Sequence, residues 1–270
     1  MLRSMKDLEN YTIGATNGDI GQVTDFYFDD QAWVIRYLVV DAGSWLSSRK
    51  VLISPLSVHD QNWVHLRLPV SFTKEQVRNS PAIDTEKPVS RQHEIDDFSY
   101  FSHADYGGGA GIWGDGMYPY LMDPAYPPSG LDRADRDRAD EALASAKEEQ
   151  HRHDDPRLRS CKAVIGYHIR ATDGDIGHVH SLLIDEESWA IRYLVVSTRN
   201  GWLGHLVLVA PQWIKDIRWT DKSVSVNLSR GEVRDAPPYK PTDELNRERE
   251  ADLYKQSGRL GYWAPTSQFP

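Results

Sequence analysis

The sequence predicts an all-β fold made of two copies of one small barrel module. Three observations predict it. The first is a repeat at a constant offset of 156 residues. Tyr11 to Val23 recurs from Tyr167 to Val179, and Trp33 to Val40 recurs as Trp189 to Val196. Over residues 2–40, roughly 21 of 39 positions are identical, far more than unrelated segments share. The second observation is a series of short runs rich in β-branched and aromatic residues. The third is a turn signal roughly every 8–12 residues, the spacing of small barrels and sandwiches.

Taken in order, Leu2-Arg3-Ser4-x-Lys6 opens the first copy and Leu158-Arg159-Ser160-x-Lys162 the second. Asn17-Gly18 and Asp173-Gly174 are hairpin turns, because both central residues tolerate positive φ. Strands follow at Ile20–Phe28 and Ile176–Ile184, then polar turns at Asp29-Asp30-Gln31 and Asp185-Glu186-Glu187. Trp33–Val40 and Trp189–Val196 are too short and too β-branched for helices. Loops holding Trp45 or Trp202 lead to Val51-Leu52-Ile53 and Leu206–Val209, with Pro55 and Pro211 as punctuation. Val64, Leu66 and Leu68 are expected on one face of the next strand, as are Val224, Val226 and Leu228, from their period of two. Lys87-Pro88 and Lys240-Pro241 each precede a polar helical stretch and an aromatic-glycine cluster. Four segments result: a barrel at 1–85, an aromatic, glycine-rich extension with a charged helical linker at 86–157, a second barrel at 158–238, and a helical, aromatic extension at 239–270.

The net charge of −9 is concentrated in the linker segment, which carries −8, while the two barrels carry −2 and +1. Neutral barrels argue against direct nucleic-acid binding driven by phosphate neutralisation. No run of about 18 apolar residues indicates a transmembrane helix. The N-terminus lacks a secretory signal, and a single cysteine fits a reducing, cytoplasmic setting.

The Gly18-Asp19-Ile20-Gly21 turn, the aromatic-apolar strand ending in Asp29, the Ile35–Val40 strand and Pro55 together resemble the PRC-barrel family. The resemblance covers about 75–80 residues of each copy. It is to the cytoplasmic domain of the photosynthetic reaction-centre H subunit and to the C-terminal domain of a ribosome-maturation factor. It implies a docking module, and it opens two further readings: a factor associated with ribosomes or RNA processing, and a peripheral component of a membrane or photosynthetic complex.

Catalytic patterns do not assemble. Gly109-x-Gly111-x-x-Gly114 lacks the entering strand and departing helix that dinucleotide binding requires. His178-x-His180 and His151-x-His153 lack the three or four converging ligands of a zinc site. The acidic turns read as backbone caps. Cys161 aligns with Met5 and reads as a small hydrophobe. No cofactor is implied. The expected function is therefore non-enzymatic, with a protein partner or self-association as the target. Trp33, Arg36, Tyr37 and Trp45, with Trp189, Arg192, Tyr193 and Trp202, are the candidate contact residues, because aromatics and arginine serve interfaces well.

Overall fold

The structure, a computed structural model, describes residues 1–46, 49–59, 66–80, 158–198, 205–242 and 245–263. The first unit runs β1 (Leu2–Ser4), α1 (Met5–Leu8), β2 (Thr12–Ala15), β3 (Gly18–Asp29), β4 (Val34–Asp41), β5 (Lys50–Ile53), β6 (Arg67–Pro69) and α2 (Lys74–Asn79). The second runs β7 (Leu158–Ser160), α3 (Cys161–Val164), β8 (His168–Ala171), β9 (Gly174–Asp185), β10 (Ile191–Thr198), β11 (Leu206–Val209), β12 (Ile214–Arg218), β13 (Ser223–Val226) and α4 (Arg230–Asp235). A final helix, α5, spans Arg247–Gln256. Among the described residues no helix is long and apolar enough to cross a membrane.

Each unit is a mainly antiparallel sheet with one parallel pair. The first has the order β5-β4-β3-β2-β6, and the second β11-β10-β9-β8-β13-β12. Register agrees between them position for position. Thr12 pairs with Arg67 and Ile13 with Leu68, while His168 pairs with Ser223 and Ile169 with Val224. The duplication read in the sequence is thus a duplication of strand pairing.

Local chemistry explains the turns. Gly18 and Gly174 adopt φ of 137° and 141° at the β2–β3 and β8–β9 hairpins, a region open to glycine. Asn17 Oδ1 accepts from the Lys74 amide at 2.9 Å, and Asp173 Oδ1 accepts from the Arg230 amide at 2.7 Å. The hairpin therefore holds the first turn of the helix that follows its sheet. Thr73 with Gln76, and Ser229 with Glu232, complete capping boxes on α2 and α4. Gly21 and Gly177 serve a different need. A Cβ there would stand 1.9 Å from the carbonyl oxygens of Asp41 and Ser197.

One expectation needs correcting. Leu66 does not share the inner face with Leu68; it is 59% exposed, with φ of 50°. Its equivalent, Lys222, has φ of 48°, so both are turn residues just before the parallel strand. The inward series in the first unit is Leu68, Val70 and Phe72, matching Val224, Val226 and Leu228. Position 64 lies outside the described residues.

The arms do not stay with their own sheets. β1 pairs with β9 of the second unit, with Leu2 opposite Asp185 and Ser4 opposite Leu183. β7 pairs with β3 of the first unit, with Leu158 opposite Asp29 and Ser160 opposite Tyr27. One hydrophobic cluster, including Met5, Phe26, Phe28, Cys161, Leu182 and Ile184, runs through both units. Burying a shared apolar core is the main force that makes the two units one body.

Candidate functional site

The two units meet at a clasp with approximate two-fold symmetry. At its centre Val34 and Ala190 form an antiparallel bridge. The Ile35 amide donates to Trp189 O at 2.9 Å, and the Ile191 amide donates to Trp33 O at 2.7 Å. Trp33 and Trp189 sit at φ of 55° and 56°, a left-handed conformation costing a bulky residue about 1–2 kcal/mol. The reciprocal hydrogen bonds, together with burial, hold them there. Trp189 is fully buried, and Trp33 packs on Phe28 with ring centroids 5.2 Å apart.

The exchanged arms are pinned by charge. Arg3 Nε donates to Glu186 at 2.6 Å, and Arg159 Nε donates to Asp30 at 2.9 Å. Ser4 Oγ lies 3.1 Å from Ser181 Oγ. At the equivalent place in the other arm, the Ser160 hydroxyl and the Lys162 amide both donate to Asp25, at 2.5 and 3.1 Å. Burial raises the Asp25 carboxyl above its ordinary value, and these hydrogen bonds only partly offset the desolvation. Lys162 also reaches Glu9 at 3.3 Å.

The turn acids behave as caps. Asp29 Oδ1 accepts from the amides of Gln31 and Ala32, and Asp185 Oδ1 from those of Glu187 and Ser188. Their other oxygens meet Arg36 and Arg192, each at 3.3 Å. For Asp185, burial favours the neutral acid, but the two amides and Arg192 outweigh it and hold the carboxyl below its usual range.

A network closes over the outer face of the second unit. Tyr193 donates to Glu250 at 2.8 Å and Tyr262 donates to the same oxygen at 2.9 Å. Arg192 stacks over Tyr262 at 4.2 Å, and Arg247 lies over Trp263 at 4.5 Å. Burial, reinforced by the neighbouring Glu250, pushes the Tyr262 hydroxyl up to about 12. Tyr193 and Tyr254 move in the same direction, again chiefly through burial.

The candidate contact residues are dispersed across this architecture. Tyr37, Tyr193, Trp189 and Arg36 are buried within the chain. Trp45 is half-buried; its indole donates to Ile20 O at 2.5 Å, and Lys74 sits 4.3 Å above the ring. Trp202 lies outside the described residues, as do Gly109, Gly111, Gly114, His151, His153 and the acidic linker. Trp33 and Trp189 flank the central bridge, and Trp33 and Arg192 share a cleft. This cleft, of about 540 Å³, lies at the junction and is also lined by Asp30, Lys215, Ile217 and Trp219. A smaller apolar pocket of about 220 Å³ lies beneath α5, lined by Val209, Trp213 and Leu253 among others.

The arm residues and their acidic acceptors were missed as a junction. The signal was present in the repeated Leu-Arg-Ser opening, but strand exchange leaves no mark in a single repeat. Cys161 is fully buried, and burial, with the nearby Asp25 and Glu9 carboxylates, drives its thiol well above the ordinary value. Such a thiol is not a nucleophile near neutral pH. His168 and His178 are cross-strand partners; among the described residues no three His, Cys, Asp or Glu side chains gather as metal ligands do.

No curated protein matches the chain. Residues 3–76 match the PRC-barrel domain family, a span running from the exchanged arm to α2. The first unit is a PRC-barrel domain.

Proposed function

We propose that the second unit is a PRC-barrel as well, and that the chain is a non-enzymatic binding or assembly protein acting as a tandem-barrel adaptor. Matching register and the arm exchange support the first part. The second rests on one observation: the cleft walled by Trp33, Arg192 and Trp219 draws on both units, so it exists only when the barrels are clasped. Two of its charged groups are engaged in structural pairs, Asp30 on Arg159 and Arg192 on Asp185. Such groups position a ligand rather than transform it. The occupant that fits is a protein segment that lays an apolar or aromatic side chain against the two tryptophans, while Lys215 and Asp216 meet its polar flanks.

The test is capture from a native lysate treated with nuclease, with the full chain and two surface variants as baits. Gln212→Trp fills the cleft and Lys215→Glu reverses a rim charge; both positions are exposed. A defined protein partner should survive nuclease and fall at least tenfold with either variant. Capture lost to nuclease would favour the RNA-associated reading, and capture indifferent to both variants would remove the cleft from the proposal.

A further inference from the structure

The clasp differs on its two sides in a way that sorts its partners. Helix α1 packs on β9 and helix α3 packs on β3. The first helix brings Met5, fully buried, to a strand carrying Leu182, Leu183 and Ile184. The second brings Cys161, fully buried, to a strand carrying Phe26 and Phe28, which share its buried cluster. Within one buried cluster, the helix with the larger side chain packs on the strand with the smaller set, and the helix with the smaller side chain packs on the strand with the larger set. Like-with-like pairing would set Met5 against the aromatics, or Cys161 against the aliphatics. The first overpacks and the second leaves a void, and close-packed interiors resist both.

Polar groups repeat the asymmetry. Lys162 bridges to Glu9 across the unlike pair, and a pair of two second units would lose this bridge, because the position equivalent to Glu9 there is Ile165. Asp25 receives the second arm, whereas Ser181 stands at the equivalent position against the first arm.

We infer that the clasp is a self-sorting interface that a second copy of this chain also fits. The first unit of one copy closes on the second unit of another, giving an exchanged dimer with the same contacts as the monomer. Every contact in the clasp is non-covalent, and residues 81–157 join the units. A chain of that length reaches up to about 250 Å when extended, so connectivity alone does not dictate which second unit is met. Tethering favours the intramolecular closure at low concentration, through an effective concentration of about millimolar. The exchanged form gains as protein concentration rises. This inference concerns the partner of each barrel and does not rest on the adaptor reading.

The experiment starts from the folded full chain carrying a protease site inserted between residues 131 and 152. Isotopically light and heavy preparations are cut, mixed and followed by native mass spectrometry. The expected result is that the halves remain as pairs of one first unit with one second unit. Light–heavy pairs should grow toward half of the total, with like–like pairs below a tenth. Separation of the halves on cutting, or abundant like–like pairs, would overturn the inference. Cys161→Met should loosen the cut pair about tenfold or more by overpacking the aromatic side. Met5→Cys, by contrast, leaves a void and should act through faster dissociation. If neither variant changes dissociation, size sorting is not the basis of the pairing.

Discussion

Asp25 shows how one residue links packing to pH. Its carboxyl is buried against the Ser160 arm and raised by that burial, so the folded chain holds the proton more tightly than the unfolded one. Stability is then full below the ordinary carboxylate value and declines as pH rises through the raised folded value. Asp25→Asn removes this dependence. The variant should gain on wild type as pH increases through that window and hold a constant advantage above it, read as urea midpoints across pH 3.5–8, a range of about 4.5 units that brackets carboxylate titration. A second residue-scale prediction concerns Gly21 and Gly177. With Asp41 O or Ser197 O only 1.9 Å from an added Cβ, Gly21→Ala or Gly177→Ala should destabilise by about 1–3 kcal/mol in chemical denaturation. The Gly-Asp-Ile-Gly motif is therefore half turn chemistry and half close approach. Sequence reading reached the turn through Gly18 but gave no reason for Gly21, since the backbone that crowds it belongs to β4.

Elements were legible where their determinants are local. The hairpins follow from Asn17-Gly18 and Asp173-Gly174, and β4 and β10 follow from their largely buried β-branched runs. Leu66 was misplaced because alternation extrapolates through a turn, and only the observed positive φ ends the strand there. The arms were invisible for a deeper reason: Leu2-Arg3-Ser4 is too short to read as a strand, and its partner is fixed by the other repeat. Arg3→Ala and Arg159→Ala each break a part-buried charged hydrogen bond and should cost about 1.5–3 kcal/mol, with equal effects reporting the symmetry of the clasp. Helix α5 makes a separate prediction. Tyr193, Tyr254 and Tyr262 all resist ionisation when folded, through burial first and Glu250 in support. Above the ordinary tyrosine value, near pH 10 by convention, the unfolded side chains lose protons that the folded ones keep. Stability from this face is therefore present below that value and lost as pH rises toward the Tyr262 value of about 12. Tyrosinate absorbance should rise together with a change in tryptophan fluorescence as the helix releases. Independent, early titration of all three would contradict the network.

At the scale of the whole molecule, duplication has produced a body rather than two beads. The shared cluster, the central bridge between Val34 and Ala190 and the reciprocal arms all require the units to be in contact. The adaptor proposal and the self-sorting interface both depend on that contact, because the cleft and the exchanged strands disappear when the units part. The sequence made the repeat plain, and the net charge of −9 is concentrated in the segment between two nearly neutral units. It carried no sign of which strand joins which sheet.

The most direct measurement is an engineered disulfide between the first arm and the second unit. Ser4 and Ser181 face each other with hydroxyl oxygens 3.1 Å apart, close enough for a bond of about 2.05 Å between sulfurs after small adjustment. Ser4→Cys with Ser181→Cys, in a Cys161→Ala background, should oxidise spontaneously at low protein concentration. The product should be a monomer with faster non-reducing mobility and a mass lower by two hydrogens. Cysteines that stay reduced under these conditions, while each unit remains folded by circular dichroism, would show that the arm does not cross and would contradict the clasp.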